Sequence, residues 1–278
     1  MSYLNLKYID LSSITVVGSL IFFIWGIIVG LLLFIYAAIN GNFDTLSLLI
    51  PFTIAFISLV GGVVYYFIGN FLYNIFSNKI FSVSFEISNG SIERISILPI
   101  SIIITLINII FVILFYPGLK LVLEIILIDL YSFISFTPMI SLIGQTIDII
   151  TNPIIILIFI VLTFILTGLG GFIYNLVSKK TGGVEIKLEN DKNDNKSINK
   201  INYFKPSSVG LNLAIALIIP YTIIHLIISF LFFPVSYINS ILVIIGGFIG
   251  IFIIMSISTI FYNLIAKLNP ILVELESD

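Results

Sequence analysis

Few residues in this chain have side chains suited to chemistry, and their positions are informative. There is no cysteine and a single histidine, His225. Thiolate chemistry, disulfides and a paired-imidazole metal site are therefore excluded. His225 stands in an apolar run, and none of the apolar runs contains a carboxylate, so a proton relay through it lacks a partner. The plainer reading is an imidazole hydrogen-bonded between helices. Glu124, Asp129 and Asp148 are ligands of the class a hard cation takes, but their spacing matches no known loop, and solvation on the outer side accounts for them. The phosphate-binding glycine loop, the dinucleotide fingerprint and the paired-histidine metalloprotease motif are missing too. The expectation is a non-enzymatic protein with no cofactor and no catalytic or metal set.

One polar signature does recur. Phe71-Leu72-Tyr73-Asn74-Ile75-Phe76-Ser77 aligns with Phe172-Ile173-Tyr174-Asn175-Leu176-Val177-Ser178 and with Ile260-Phe261-Tyr262-Asn263-Leu264-Ile265-Ala266. Each copy ends an apolar run. Each is followed by a lysine (Lys79, Lys180, Lys267), a break, and a short alternating run with one acid (Glu86, Glu185, Glu274). Alternation of period two indicates a strand. Another extended piece with a basic residue precedes each copy's first apolar run: Leu4 to Asp10 with Lys7, Ser91 to Ser96 with Arg94, and Ile198 to Lys205 with Lys200. The unit is strand, helix, helix, strand, repeated three times. Tyr73, Tyr174 and Tyr262 suit a membrane interface, where the ring is apolar and the hydroxyl wet. Asn74, Asn175 and Asn263 suit either hydrogen bonds between repeats, worth about 0.6 to 2 kcal/mol each in a membrane, or a polar ring at the mouth of a central path. Gly61 and Gly250 lie thirteen residues before the asparagine, and Gly69, Gly170 and Ser258 lie five before it. Small residues at such positions predict close helix packing.

The elements that carry these motifs follow from composition. Of 278 residues, 59% are hydrophobic and only 9% charged, against about 25% charged in a soluble domain. The mean hydropathy is +1.24. So little polar surface cannot coat a globule in water, which predicts a polytopic membrane protein. Six runs reach the roughly 20 residues that cross a bilayer: Ile14 to Ala38, Leu46 to Ser77, Ile97 to Phe115, Asn152 to Val177, Val209 to Phe233 and Ser236 to Ala266. Eleven of the twelve Lys and Arg precede the first run or follow an even-numbered one, Lys120 being the exception. The positive-inside bias then puts both termini in the cytoplasm of a cell-membrane protein. The first run is too long for a signal-peptide core, so no cleavage is expected. A net charge of -2 gives no reason to expect a nucleic-acid partner.

The domain reading is three repeats: 1–89; 90–190, with an outer insertion at 116–151; and 191–278. The insertion contains Glu124, Asp129, Pro138, Gln145 and Asp148, and reads as an interfacial or re-entrant pair of short helices. Strands between repeats should form cytoplasmic hairpins, the first turning at Asn89-Gly90, the strongest short hairpin signal. The N- and C-terminal strands would then pair and close a six-stranded ring with pseudo-threefold symmetry, removing open sheet edges. A strict two-residue turn puts Glu86 opposite Glu93, an unfavourable like-charge pair. The fold class is an α-helical integral membrane protein with a small cytoplasmic sheet or barrel.

These motifs resemble those of an uncharacterised family of bacterial and archaeal multi-span membrane proteins. Its repeat opens with Ile-Asp-x-x-Ser and closes with Tyr-Asn-x-x-(Ala/Ser)-Lys…Gly-Gly-x-Glu. Here the opening is Ile9-Asp10-Leu11-Ser12, and the fullest closing is Tyr174-Asn175-Leu176-Val177-Ser178-Lys179 with Gly182-Gly183-Val184-Glu185. The other copies replace the glycine pair by Phe81-Ser82 and Asn269-Pro270, and the later openings are degenerate, Ile95-Ser96 and Ile201-Asn202. The resemblance implies a fold type and no activity.

The expected function is that of a scaffold or partner-binding subunit in the lipid bilayer, contacting a membrane or cytoplasmic protein through its hairpins, with Lys187, Glu189, Lys200 and Lys205 as rim contacts. The polar loop Glu189 to Ser197 is expected to be solvated. A small-solute or ion transporter built on internal repeats is the alternative. An intramembrane lipid-modifying enzyme using Glu124, Asp129 and Asp148 ranks third.

Overall fold

The computed structural model describes residues 2–40, 45–133, 152–191, 198–231 and 237–277. The strand-helix-helix-strand order occurs three times. The first copy is β1 (Ser2–Ile9), α1 (Leu11–Ile39), α2 (Ile50–Lys79) and β2 (Val83–Ser88). The second is β3 (Ser91–Ile95), α3 (Ile97–Phe133), α4 (Pro153–Thr181) and β4 (Val184–Asp191). The third is β5 (Ile198–Phe204), α5 (Pro206–Leu231), α6 (Tyr237–Ile265) and β6 (Ile271–Ser277). Six of the described helices are long and apolar enough to cross a membrane.

All six strands join in one antiparallel closed barrel, in chain order, with β6 returning to β1. Asn89 (φ 50°) and Gly90 (φ 75°) turn β2 into β3, the two left-handed residues that a tight hairpin turn requires. The expected clash of Glu86 with Glu93 does not occur. A β-bulge after Glu86 sets Arg94 opposite it, and Arg94 Nε lies 3.4 Å from Glu86 Oε2. The tyrosine hydroxyl of Tyr3 donates to the same oxygen at 3.1 Å, so this buried carboxylate is compensated.

The bulge recurs with the repeat. Between β1 and β6 the register skips Lys7, and between β4 and β5 it skips Asn202. Lys7, Glu93 and Asn202 are thus equivalent. One extra residue in each odd strand lets Leu6 and Ile9, Ile92 and Ile95, and Ile201 and Phe204 face the same side despite standing three apart. Following the pairing around the barrel, that side also carries Val83, Ile87, Val184, Ile186, Leu188, Val273 and Leu275. The barrel interior is therefore hydrocarbon apart from the buried Asn199, which pairs with Val273 at the end of β5 away from α5, and a barrel of so few strands has a lumen with room only for side chains. Val184 and Ile186 are buried there with Ile87, Ile92, Leu188 and Phe204 against them.

Register also corrects two alignments. Val83, Val184 and Ile271 each pair with the residue preceding a bulge. Counting from them, Glu86 corresponds to Lys187 and Glu274, and Glu185 stands two positions away. The basic residues Lys7, Arg94 and Lys200 likewise fall at three different positions.

Residues 116–133 form no short re-entrant helix: α3 runs unbroken through them to Phe133. Glu124 and Asp129 lie on this extension. Asp148 and the rest of the expected insertion lie outside the described residues, as does the 192–197 part of the polar loop.

The chain forms two compact units. One comprises residues 1–17, 70–104 and 164–278: the barrel, the helix ends that join it, and all of α5 and α6. The other comprises 18–69 and 105–163. In the second unit α1 and α2 approach closely: a Cβ on Gly30 would come within 2.6 Å of Pro51 Cα, and one on Gly62 within 2.9 Å of Ser19 Cα. In the first unit Gly210 of α5 abuts Ser256 and Phe252 of α6. Gly61 and Gly250, expected at packing positions, have open space around them.

Candidate functional site

At the end of each even helix, the tyrosine, the asparagine and the residue three further on meet the strand that opens the same repeat. Asn74 grips Ile9 by both backbone groups: the Ile9 N–H donates to Asn74 Oδ1 at 2.8 Å and Asn74 Nδ2 donates to the Ile9 carbonyl at 2.8 Å. Asn175 holds Ile95 at 2.8 and 2.9 Å. Asn263 holds Phe204 at 2.9 and 2.7 Å. Ile9, Ile95 and Phe204 stand where strand becomes helix, so each side-chain amide replaces a ladder partner that the chain loses as it leaves the sheet.

The tyrosines act one turn away. Tyr73 donates to the Leu6 carbonyl at 2.7 Å, Tyr174 to the Ile92 carbonyl at 2.5 Å, and Tyr262 to the Ile201 carbonyl. The phenol oxygens in turn accept from the paired strand: the Val184 N–H donates to Tyr174 Oη at 3.3 Å, and the backbones of Val83 and Ile271 meet Tyr73 and Tyr262 alike. Leu6–Val83, Ile92–Val184 and Ile201–Ile271 are ladder pairs. Each phenol thus bridges the two strands of its own repeat.

A third bond holds the bulge carbonyl. Ser77 Oγ donates to Lys7 O at 2.7 Å, and Ser178 Oγ to Glu93 O at 2.5 Å. The equivalent residue in the last repeat is the buried Ala266, which has no hydroxyl to offer Asn202. All these asparagine and tyrosine bonds run within repeats, where a link between repeats was expected. At either possible mouth, the amides are already committed to backbone.

Different residues make the links between repeats. Asp10 N donates to Leu272 O at 2.9 Å, Ser96 N to Ser84 O at 2.9 Å, and Lys205 N to Glu185 O at 3.0 Å. The N–H groups of the same three residues are taken by serine hydroxyls: Leu272 by Ser13 at 3.1 Å, Glu185 by Ser208 at 3.0 Å and Ser84 by Ser96 at 2.9 Å. Ser13 and Ser208 each lie three residues beyond the linking residue, and the second repeat has Pro99 there. Ser96 supplies the missing oxygen from the linking residue itself. Sequence reasoning missed this set. Its signal was a serine three residues after Asp10 and after Lys205, a first-turn position able to bond outside the helix.

The four expected rim residues share the outer side of the β4–β5 hairpin. Lys187 Nζ lies 5.3 Å from the centre of the Tyr203 ring. Glu189 is opposite Lys200 and accepts from Asn202 Nδ2 at 2.6 Å. Lys205 Nζ is 2.6 Å from Glu185 Oε1. Opposite charges and an aromatic ring thus interleave along one exposed hairpin. His225 stacks on Tyr221, ring centres 6.2 Å apart at 11°, and its buried Nε2 has no hydrogen-bond partner among the described residues. The bond between helices expected for it is not made by that nitrogen.

No protein-family model, curated protein or solved structure matches this chain.

Proposed function

We propose that this is a multi-pass cell-membrane protein, both termini cytoplasmic, that serves as a non-enzymatic scaffold or partner-binding subunit through the outer face of the β4–β5 hairpin. The membrane part draws support from surface chemistry. In the Ile241–Ile265 span the most apolar stretch has 0% of its residues buried by protein, and so much exposed hydrocarbon needs a lipid solvent. The lysine distribution supports the orientation. The Tyr174-Asn175…Gly182-Gly183-Val184-Glu185 motif supports membership of the prokaryotic multi-span family.

One observation carries the scaffold reading. The barrel is lined by hydrocarbon apart from Asn199, the asparagine and tyrosine side chains at the helix ends are bonded to backbone, and the charged and aromatic side chains of the hairpin, Glu185, Lys187, Glu189, Lys200, Tyr203 and Lys205, lie outside. A hydrocarbon lumen offers ions no wet path along the barrel axis. A mixed-charge strip with one aromatic ring is suited to choosing a partner by electrostatic complementarity.

The test uses C-terminally tagged protein extracted in native-lipid particles, with co-purifying proteins quantified by mass spectrometry. The triple change Lys187→Glu, Lys200→Glu, Lys205→Glu should remove a stoichiometric partner and leave thermal unfolding near that of the parent. A partner retained by the triple variant, or a partnerless parent that passes solutes in liposomes, overturns the reading.

A further inference from the structure

Above the barrel end of the last repeat lies a cavity of about 340 Å³, walled by Ile92, Phe204, Val209, Leu213, Met255 and Tyr262 among others. That is more than twice the roughly 150 Å³ that holds a benzene molecule in a dry protein interior. Every hydroxyl on its wall already has a partner. Tyr174 and Tyr262 donate to Ile92 and Ile201 carbonyls, Thr259 Oγ1 to the Met255 carbonyl at 2.7 Å, and Ser258 is likewise engaged. Nothing there is left to recognise a polar molecule, so the site selects hydrocarbon.

The chain also contains a filled version of this place. Eight residues before Asn263 and Asn74 stand Met255 and Tyr66, and nine after Phe204 and Ile9 stand Leu213 and Gly18, so the two pairs correspond. There the Tyr66 ring packs directly on Gly18, where even a Cβ would overlap it. A sequence able to close the position with an aromatic ring instead keeps a flexible thioether beside an open volume in the third repeat.

We infer that this cavity is a binding site for one acyl chain of a bilayer phospholipid, entering where α5 and α6 run into the barrel. The inference rests on the membrane reading above, because the lipid must be at hand.

The experiment places the full-length protein in phosphatidylcholine vesicles containing a trace of phosphatidylcholine with a diazirine in one acyl chain, and maps adducts after illumination. Adducts are expected at 204–213 and 255–262. Met255→Tyr combined with Leu213→Gly, which installs the first repeat's pair, should abolish them, while labelling at the exposed Ile249 and Ile253 of α6 persists. Leu213→Phe serves as a second, independent filling variant, and thermal unfolding of both confirms that they fold. Labelling at Ile249 and Ile253 with none in the cavity overturns the site alone. So does cavity labelling unchanged in both folded variants, or labelling by a diazirine free fatty acid and not by the phospholipid. Absence of adducts everywhere overturns the membrane reading and the site together.

Discussion

The first two repeats and the third solve one mechanical problem with different numbers of bonds. Where a strand leaves the barrel to start a helix, its backbone loses ladder partners. In repeats one and two an asparagine, a tyrosine and a serine from the end of the returning helix replace them. In repeat three only the asparagine and tyrosine do, and Ala266 occupies the serine's place. The comparison separates what the junction requires from what improves it. The amide is in every copy because it meets both the N–H and the carbonyl of one residue, whereas the phenol joins groups on two strands.

The second repeat offers the hardest test, because its glycine pair has a partner to strike. Gly183 has a φ of 70°, and a Cβ there would overlap the Ile92 carbonyl that accepts from Tyr174. Left-handed strain and collision add. Gly183→Ala should therefore lower stability by about 3 kcal/mol or more, read by thermal denaturation in detergent. The equivalent Ser82 and Pro270 make the same connection without positive φ, so Ser82→Ala should change little. Equal losses at both positions would show that strain at Gly183 is not the cause.

Removing the amide comes next. Asn74→Ala, Asn175→Ala and Asn263→Ala each leave a buried N–H and a carbonyl without partners, worth about 2 to 3 kcal/mol. The third should be the most damaging, because its junction keeps fewer bonds in reserve. A ranking with Asn263→Ala mildest would contradict the reserve idea.

The smallest effect is the one most specific to the comparison. Ser77→Ala and Ser178→Ala should each cost about 1 kcal/mol, and Ala266→Ser, with its new hydroxyl directed at the Asn202 carbonyl, should stabilise by up to about 1 kcal/mol. Transition midpoints of a few degrees in opposite directions would check both. A destabilised Ala266→Ser would mean that the third junction is too tightly packed for the extra oxygen.

Much of the fold was legible along the chain. The apolar runs gave the six long helices, except that α3 passes through Pro117 where a break was expected. Alternation gave β2, β4 and β6, the extended pieces with a basic residue gave β1, β3 and β5, all within a residue or two, and Asn89-Gly90 gave the first turn. The Tyr-Asn copies fall where the helix ends meet the strands. Their partners were not legible: Asn74 reaches back 65 residues, Asn175 80 and Asn263 59. Nor was the bulge anticipated, although Leu6-x-x-Ile9, Ile92-x-x-Ile95 and Ile201-x-x-Phe204 carry its trace: apolar residues three apart within an alternating strand. Carrying the register of a two-residue Asn89-Gly90 turn onward without a bulge is what set Glu86 against Glu93.

The sequence by itself determined the classes of element, their order and their threefold repetition, because hydropathy and side-chain period act over a few neighbouring residues. Tertiary structure alone decided which acid is paired with which base, which serine serves which strand, and that the asparagines bind within repeats. A hydrogen bond is made at a distance of about 3 Å and in one direction. Which donor reaches which acceptor is therefore fixed only when the barrel closes and a one-residue bulge sets the register.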